Sequence, residues 1–191
     1  MFKKKEKINQ VALPLTQCLA KTYKTAEGEK KAGREVLNHC HIVGEVAREL
    51  RERLASQLAD EFFPPGVELI AACHDIGKVS PTFQEKIYRG TEGYQKNSKP
   101  ELKQANPDTE AAWGGHAGVS QAAAVELKLG KYIPDIIGQH HGFSPNHNHL
   151  ATDEVFGGNA WQQRRKELVE SLKHALETDF PQVHDALQAR V

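Results

Sequence analysis

An all-α fold, a helical bundle of roughly six to eight helices in a single domain, is what this sequence predicts. Three observations carry that expectation. Apolar residues recur at intervals of three and four through most segments, and no run alternates long enough to make a good strand. At 191 residues the chain can fill one ordinary core but not two comfortable domains. Neither an internal repeat nor a low-complexity tract interrupts the pattern.

The basic run Phe2-Lys3-Lys4-Lys5-Glu6-Lys7 has the character of a solvated end. From Glu35 to Ala59 the series Val36, Cys40, Val43, Ala47, Leu50, Leu54 and Leu58 predicts one long amphipathic helix, with Glu45, Arg48, Glu49, Arg51 and Glu52 opposite. His39 falls at the edge of its buried face and His41 is rotated away from it. After Pro64-Pro65-Gly66, residues Val67 to Ile76 are apolar nearly all round, which predicts a central helix with His74 and Asp75 at its C-terminal end. Gly77 is placed to end that helix in a left-handed conformation. Ser80-Pro81 then predicts a new helix, serine as N-cap and proline in the first turn.

Residues 89–112, broken by Gly90, Gly93, Asn97, Pro100, Asn106 and Pro107, read as a long loop. A helix resumes after Gly114-Gly115 with His116 in its first turn and runs on through Val119, Ala122, Ala123, Val125 and Leu127. Another, from Pro134, leads into Gln139-His140-His141-Gly142, and Asn146, His147, Asn148 and His149 form a polar loop. The last helix spans about Asn159 to Leu176, with Trp161, Leu168, Leu172 and Leu176 on one face.

Lys plus Arg equals Asp plus Glu at 25 each, so no global field draws the chain to nucleic acid or an anionic membrane. Any nucleic acid must be met by a local patch or delivered by a partner. Cys18, Cys40 and Cys73 are widely spaced and odd in number, which argues for buried thiols in a reducing compartment rather than a disulfide framework. With no bilayer-length apolar stretch and no signal-peptide core, the expectation is a soluble cytoplasmic protein without a membrane partner.

The chemistry concentrates in Cys73-His74-Asp75-Ile76-Gly77-Lys78. A lone His-Asp pair is most often a surface or capping pair, but His39, His116, His140 and His141 occupy positions that can converge on this one. Imidazole nitrogen and carboxylate oxygen suit borderline divalent ions, and one carboxylate can bridge two of them. A charged pair at the rim of an apolar core needs a compensating cation. The reading is a metal-dependent hydrolase. Neighbours on a helix point about 100° apart, so His74 and Asp75, or His140 and His141, either divide between two ions or approach one from a helix end. A dinuclear site suits phosphoryl displacement. Lys78 could neutralise charge on the phosphorane, although a lysine at a helix C-terminus is ordinarily a solvated partner of the dipole.

The order H…HD-x-G-K…H…HH resembles the HD phosphohydrolase superfamily. Joined to Ser80-Pro81-Thr82-Phe83-Gln84, to His116-x-x-x-Ser120 and to His140-His141-Gly142, it looks like the HD nuclease domain of the CRISPR-associated nuclease-helicase of type I systems, from about His39 to Gly142. The resemblance implies that His39, His74 and Asp75 hold one metal, that Asp75, His116, His140 and His141 hold a second, and that Lys78 and Asp75 act in catalysis. It implies two divalent ions, of manganese, nickel, iron, cobalt or magnesium, and cleavage of single-stranded DNA in antiviral defence. The implied partners are a helicase, fused or separate, and an RNA-guided multisubunit DNA-binding complex. The family's pattern closes with an aspartate on a later helix. Asp153, Asp179 and Asp185 do not sit in that setting, so residues 1–191 are expected to be an N-terminal piece of a longer nuclease-helicase that lacks this ligand. His147, His149, His174 and His184 match no family position. Two alternatives stand beside the nuclease: an HD nucleotidase or cyclic-nucleotide phosphodiesterase, against which the Ser-Pro-x-Phe-Gln tail speaks, and a non-catalytic docking module for a helicase or RNA-guided complex.

Overall fold

The structure, a computed structural model, describes residues 11–91, 93–95, 98–142 and 156–181. A small antiparallel hairpin, β1 (Thr22–Lys24) and β2 (Lys30–Ala32) with Thr22 opposite Ala32, precedes eight α-helices among the described residues. These are α1 (Val36–Arg53), α2 (Ser56–Phe62), α3 (Val67–Ala72), α4 (Pro81–Arg89), α5 (Pro107–Ala112), α6 (His116–Glu126), α7 (Ile133–Gly138) and α8 (Gly158–Leu176). The fold is the expected all-α bundle. None of these helices is long and apolar enough to cross a membrane.

At the centre lie α3 and the 3-10 turn that follows it, Cys73–Lys78, with α1, α6, α7 and α8 packed around them. Leu69, Ala72, Cys73 and Ile76 are fully buried there, as the apolar character of the segment requires. The stripe predicted for α8 is buried throughout at Trp161, Leu168, Leu172 and Leu176. Each such side chain contributes about 1.5–3 kcal/mol relative to exposure, so the stripe alone secures the helix to the core. All three cysteines are buried as free thiols. Burial pushes the Cys18 thiol up to about 12 and the Cys40 thiol upward as well, which removes both as nucleophiles near neutrality.

Four local expectations are corrected. The helix expected over 35–59 is two, broken at Leu54 and Ala55, whose backbones are extended or nearly so. Its inward face is Val36, Cys40 and Gly44, and Leu50, Leu54 and Leu58 are exposed. Beyond Gly44 the inward side of α1 is taken by the half-buried Ala47 and by Arg48 and Arg51, which donate to the Leu176 and Phe63 carbonyls, and the leucines fall on the solvent side. The central helix stops at Ala72, and the His-Asp pair rides on the 3-10 turn, where Asp75 is non-helical (φ −105°, ψ 17°). Gly77 is not left-handed. A Cβ there would overlap the His116 carbonyl and lie 2.5 Å from the Ser120 nitrogen, so glycine is required by close approach of α6. Within 89–112, α5 is a true helix, capped by the Asn106 side chain accepting from Thr109 N at 3.1 Å. Asn-Pro here is a helix start, not loop punctuation.

Other local signals hold. Ser80 Oγ caps α4 by accepting from Phe83 N at 3.2 Å, with Pro81 in the first turn. Asn146, His147, Asn148, His149, Asp153, His184 and Asp185 lie outside the described residues, and His174 is exposed on α8.

Candidate metal centre

Four segments distant in sequence deliver the donor side chains to one place. His39 comes from the first turn of α1, His74 and Asp75 from the 3-10 turn, His116 from the first residue of α6, and His140 and His141 from the turn after α7. The entry to α6 is made by Gly114 (φ 88°) and Gly115 (φ 69°), a pair of left-handed residues that swings the chain so that His116 faces inward.

Asp75 is the hub, with its side chain only 3% exposed. Its Oδ2 lies 2.9 Å from His39 Nε2, 2.9 Å from His74 Nε2 and 2.6 Å from Lys78 Nζ. Its Oδ1 faces His116 Nε2 at 3.2 Å and His140 Nε2 at 3.7 Å. His141 Nε2 is 3.1 Å from His116 Nε2. The donors form two groups, His39 with His74 and Asp75, and His116 with His140 and His141, each with its ligand atoms within 4.8 Å of one another. All seven residues singled out from the sequence therefore meet, Lys78 included. The kink at Asp75 lets His74 and Asp75 converge, which two neighbours on a regular helix could not do.

The ring orientations bear on whether a cation fits. His74 Nδ1 donates to the Ala71 carbonyl at 2.8 Å, and His140 Nδ1 to the Ile137 carbonyl at 2.7 Å. A carbonyl only accepts, so in the neutral rings both Nε2 atoms carry lone pairs. That turns the His74 Nε2 lone pair on a carboxylate oxygen 2.9 Å away, an arrangement stabilised by a shared cation or a second proton. A second proton is disfavoured at His140 and His141. Burial, followed by the charge of His141, pushes His140 down, and burial, followed by His116, pushes His141 down. Burial pushes Asp75 up, but the imidazoles of His116, His39 and His74 hold its carboxyl well below the usual carboxylate range. Asp75 Oδ1 and His140 Nε2 are buried without a hydrogen-bond partner among the described residues. Unpartnered buried acceptors facing one another, with tautomers set by backbone carbonyls, are a donor set that fits divalent ions.

Further residues hold the geometry without touching the donors' open side. Gly77 N donates to Ser120 Oγ at 2.8 Å, tying the 3-10 turn to α6. Gln84 is fully buried, accepts from Leu19 N at 2.8 Å, and donates to the carbonyls of Leu19 (2.9 Å) and Lys78 (2.8 Å). Phe83 packs edge-on to His116 at 5.2 Å between ring centroids, with Lys78 Nζ 5.4 Å from its own centroid. Arg165, wholly buried, donates to the Val79 carbonyl at 2.8 Å and to Gln162 Oε1 at 2.7 Å. Burial pushes its pKa down only to about 10, so it stays charged. Sequence reasoning passed over Arg165, yet a signal was present: it falls between Trp161 and Leu168 on the buried stripe, where a cation must have a structural task.

Of the later aspartates, Asp179 is exposed and paired with Lys173 Nζ at 3.0 Å, and it belongs to neither donor group. Comparisons with curated proteins and with solved structures find no significant match. The family model described as "Cas3, HD domain" matches residues 20–190, well beyond the stretch from His39 to Gly142 that carries the motif resemblance. With nearly the whole chain matched and the H…HD…H…HH residues drawn together in space, this chain belongs to the Cas3 HD-domain family of CRISPR-associated HD phosphohydrolases.

Proposed function

We propose that the chain is a metal-dependent nuclease that cleaves single-stranded DNA in CRISPR interference, working with a helicase, fused or separate, and an RNA-guided DNA-binding complex. The observation that carries this reading is the division of the Asp75 carboxylate: Oδ2 faces His39 and His74, while Oδ1 faces His116 and His140. His39, His74 and Asp75 would hold one ion, and Asp75, His116, His140 and His141 the other, Asp75 being common to both sets. Divalent ions held there would supply Lewis-acid activation of water and charge neutralisation at the scissile phosphate. Five imidazoles against one carboxylate favour manganese, iron, cobalt or nickel over magnesium, which prefers oxygen.

The chain's own groups have separable tasks. Ala71 and Ile137 carbonyls orient the His74 and His140 rings. Lys78, its side chain 15% exposed and braced by Phe83, offers a fixed positive charge beside Asp75 for the negative charge that gathers on the phosphoryl oxygens. The side chains of His39, His74 and His116 remain about one-fifth exposed and His141 is exposed, so the donors reach the surface, as a polymer substrate needs.

The test is Asp75→Ala, with bound metal measured by elemental analysis and cleavage of single-stranded against double-stranded DNA followed after adding manganese. The parent should bind metal and prefer the single strand, and the variant should lose both metal and cleavage while keeping helical circular dichroism. A variant that cleaves at the parent rate, or a parent that binds no metal after reconstitution, would refute the nuclease assignment, the latter result favouring a docking module.

A further inference from the structure

A second feature lies away from the metal centre. His116 opens α6, and the α6–α7 turn follows its other end, about 16 Å along at 1.5 Å per residue. Between this turn and the C-terminal half of α8 is a cavity of about 400 Å³, within the ~300–1,000 Å³ span of small-molecule sites. Its wall is apolar at Leu127, Leu129, Val169, Phe180 and Pro181, and its cations are Lys128, Lys131, Lys166 and Lys173.

The turn is held in an unusual shape. Lys128 (φ 55°) and Tyr132 (φ 67°) are left-handed non-glycine residues on either side of Gly130 (φ 132°). Such conformations cost of order 1 kcal/mol or more each and persist only where surrounding bonds impose them. Here Lys128 N donates to the Val125 carbonyl at 3.1 Å, and the Tyr132 carbonyl accepts from Ile136 N at 3.1 Å.

The opposite wall is pinned too. Lys173 Nζ pairs with Asp179 at 3.0 Å and lies 5.4 Å from the Phe180 ring centroid, while Phe180 N donates to Asp179 Oδ1 at 2.8 Å. Asp179 is thereby neutralised locally, and Glu170 stands 4.0 Å from the same ammonium. Lys128 and Lys166 have no ion-pair partner among the described residues, so two ammonium groups remain in a mostly polar cavity that also offers the Phe180 ring and a few aliphatic side chains. A dianion with a flat apolar body satisfies both halves.

We propose that this cavity binds one nucleotide unit, its phosphate on Lys128 and Lys166 and its base against Phe180 and the neighbouring aliphatic wall. The unit can be a free nucleoside monophosphate or the phosphorylated end of a strand, since both present the same chemistry.

The experiment is calorimetric titration of the whole 191-residue chain in EDTA, which keeps it independent of the metal centre and of the nuclease reading. The probes are thymidine monophosphate, thymidine, inorganic phosphate and a 5′-phosphorylated dT tetramer. Monophosphate should bind more tightly than thymidine or phosphate alone. The double variant Lys128→Asn, Lys166→Gln, in which asparagine tolerates the left-handed backbone, should weaken it by about 10–100-fold, as loss of two charge-assisted contacts implies. Phe180→Leu should weaken the monophosphate but not phosphate. Asp75→Ala, at the metal centre, should leave binding unchanged. Tetramer binding sensitive to the double variant assigns a strand end, and monophosphate binding alone a free nucleotide. Monophosphate affinity unchanged in the double variant, lost in Asp75→Ala, or matched by inorganic phosphate or thymidine would overturn the assignment. Thermal unfolding of each variant verifies that it is folded.

Discussion

Gly77→Ala is the smallest change that tests how the fold builds the metal centre. The added methyl would overlap the His116 carbonyl and lie 2.5 Å from Ser120 N, both backbone atoms of α6, so no side-chain rotation relieves it. Either α6 or the 3-10 turn must move. Overpacking of this kind costs about 1–3 kcal/mol, and displacement also weakens the buried bond from Gly77 N to Ser120 Oγ, worth roughly 1 kcal/mol. The sum, about 2–4 kcal/mol, lowers Tm by roughly 5–15 °C in a chain of this length. The same displacement separates His116 from Asp75 Oδ1, now 3.2 Å apart, while His39, His74 and Asp75 stay on their own side of the contact. The variant should therefore lose affinity at the His116 group first. Circular dichroism melting and metal titration read the two effects, with Ser120→Ala as the control that removes the hydrogen bond and adds no atom. A Gly77→Ala protein that melts within a degree of the parent and binds metal with unchanged stoichiometry would show that the 3-10 turn and α6 are not in the close contact described.

Gln84→Leu, nearly isosteric, should destabilise by roughly 3 kcal/mol or more, because Leu19 N, Leu19 O and Lys78 O lose their buried partner; chemical denaturation measures it, and a loss below about 1 kcal/mol would contradict the bonding pattern. Glu110 is buried with Ser80 Oγ donating to it at 3.1 Å, and burial pushes its carboxyl up to about 7, against the smaller opposing effects of Ser80, Lys86 and Arg165. A carboxyl raised in the folded state binds its proton more tightly there than when unfolded, so its contribution is full below about pH 4 and is lost as pH rises through about 7. The loss is about 3 kcal/mol in total and falls between about pH 4.5 and 7.5, so Glu110→Gln should be more stable than the parent at pH 8.5 and show a flatter decline between pH 4.5 and 7.5; equal slopes for the two proteins across that window would refute the burial of a titrating carboxyl.

How much of the site was legible in the sequence can be judged residue by residue. His74, Asp75 and Lys78 announce themselves because the chemistry is local, a His-Asp pair with a cation one turn on. His39, His116, His140 and His141 were named from their order along the chain and their resemblance to a family pattern, and the fold brings all of them to Asp75. The anchoring tasks of Gln84 and Arg165 are not legible in the sequence, since their hydrogen bonds run to Leu19 and Val79, 65 and 86 positions away. At Gly77 the sequence shows that a side chain is missing, but only the packing of α6 shows that the reason is what a Cβ would collide with and not a left-handed backbone.

Periodicity, caps and the near-continuous apolar character of residues 67–76 determined by themselves that this is a helical bundle with its His-Asp pair at the end of a central segment. Those signals suffice because they arise from interactions within a few residues. Tertiary structure alone decided that the long helix breaks at Leu54, that Asp75 leaves helical geometry, and that the two carboxylate oxygens face different histidines. Each of these depends on where the core ends and on which helix approaches the turn, and such contacts join parts of the chain that carry no local record of one another.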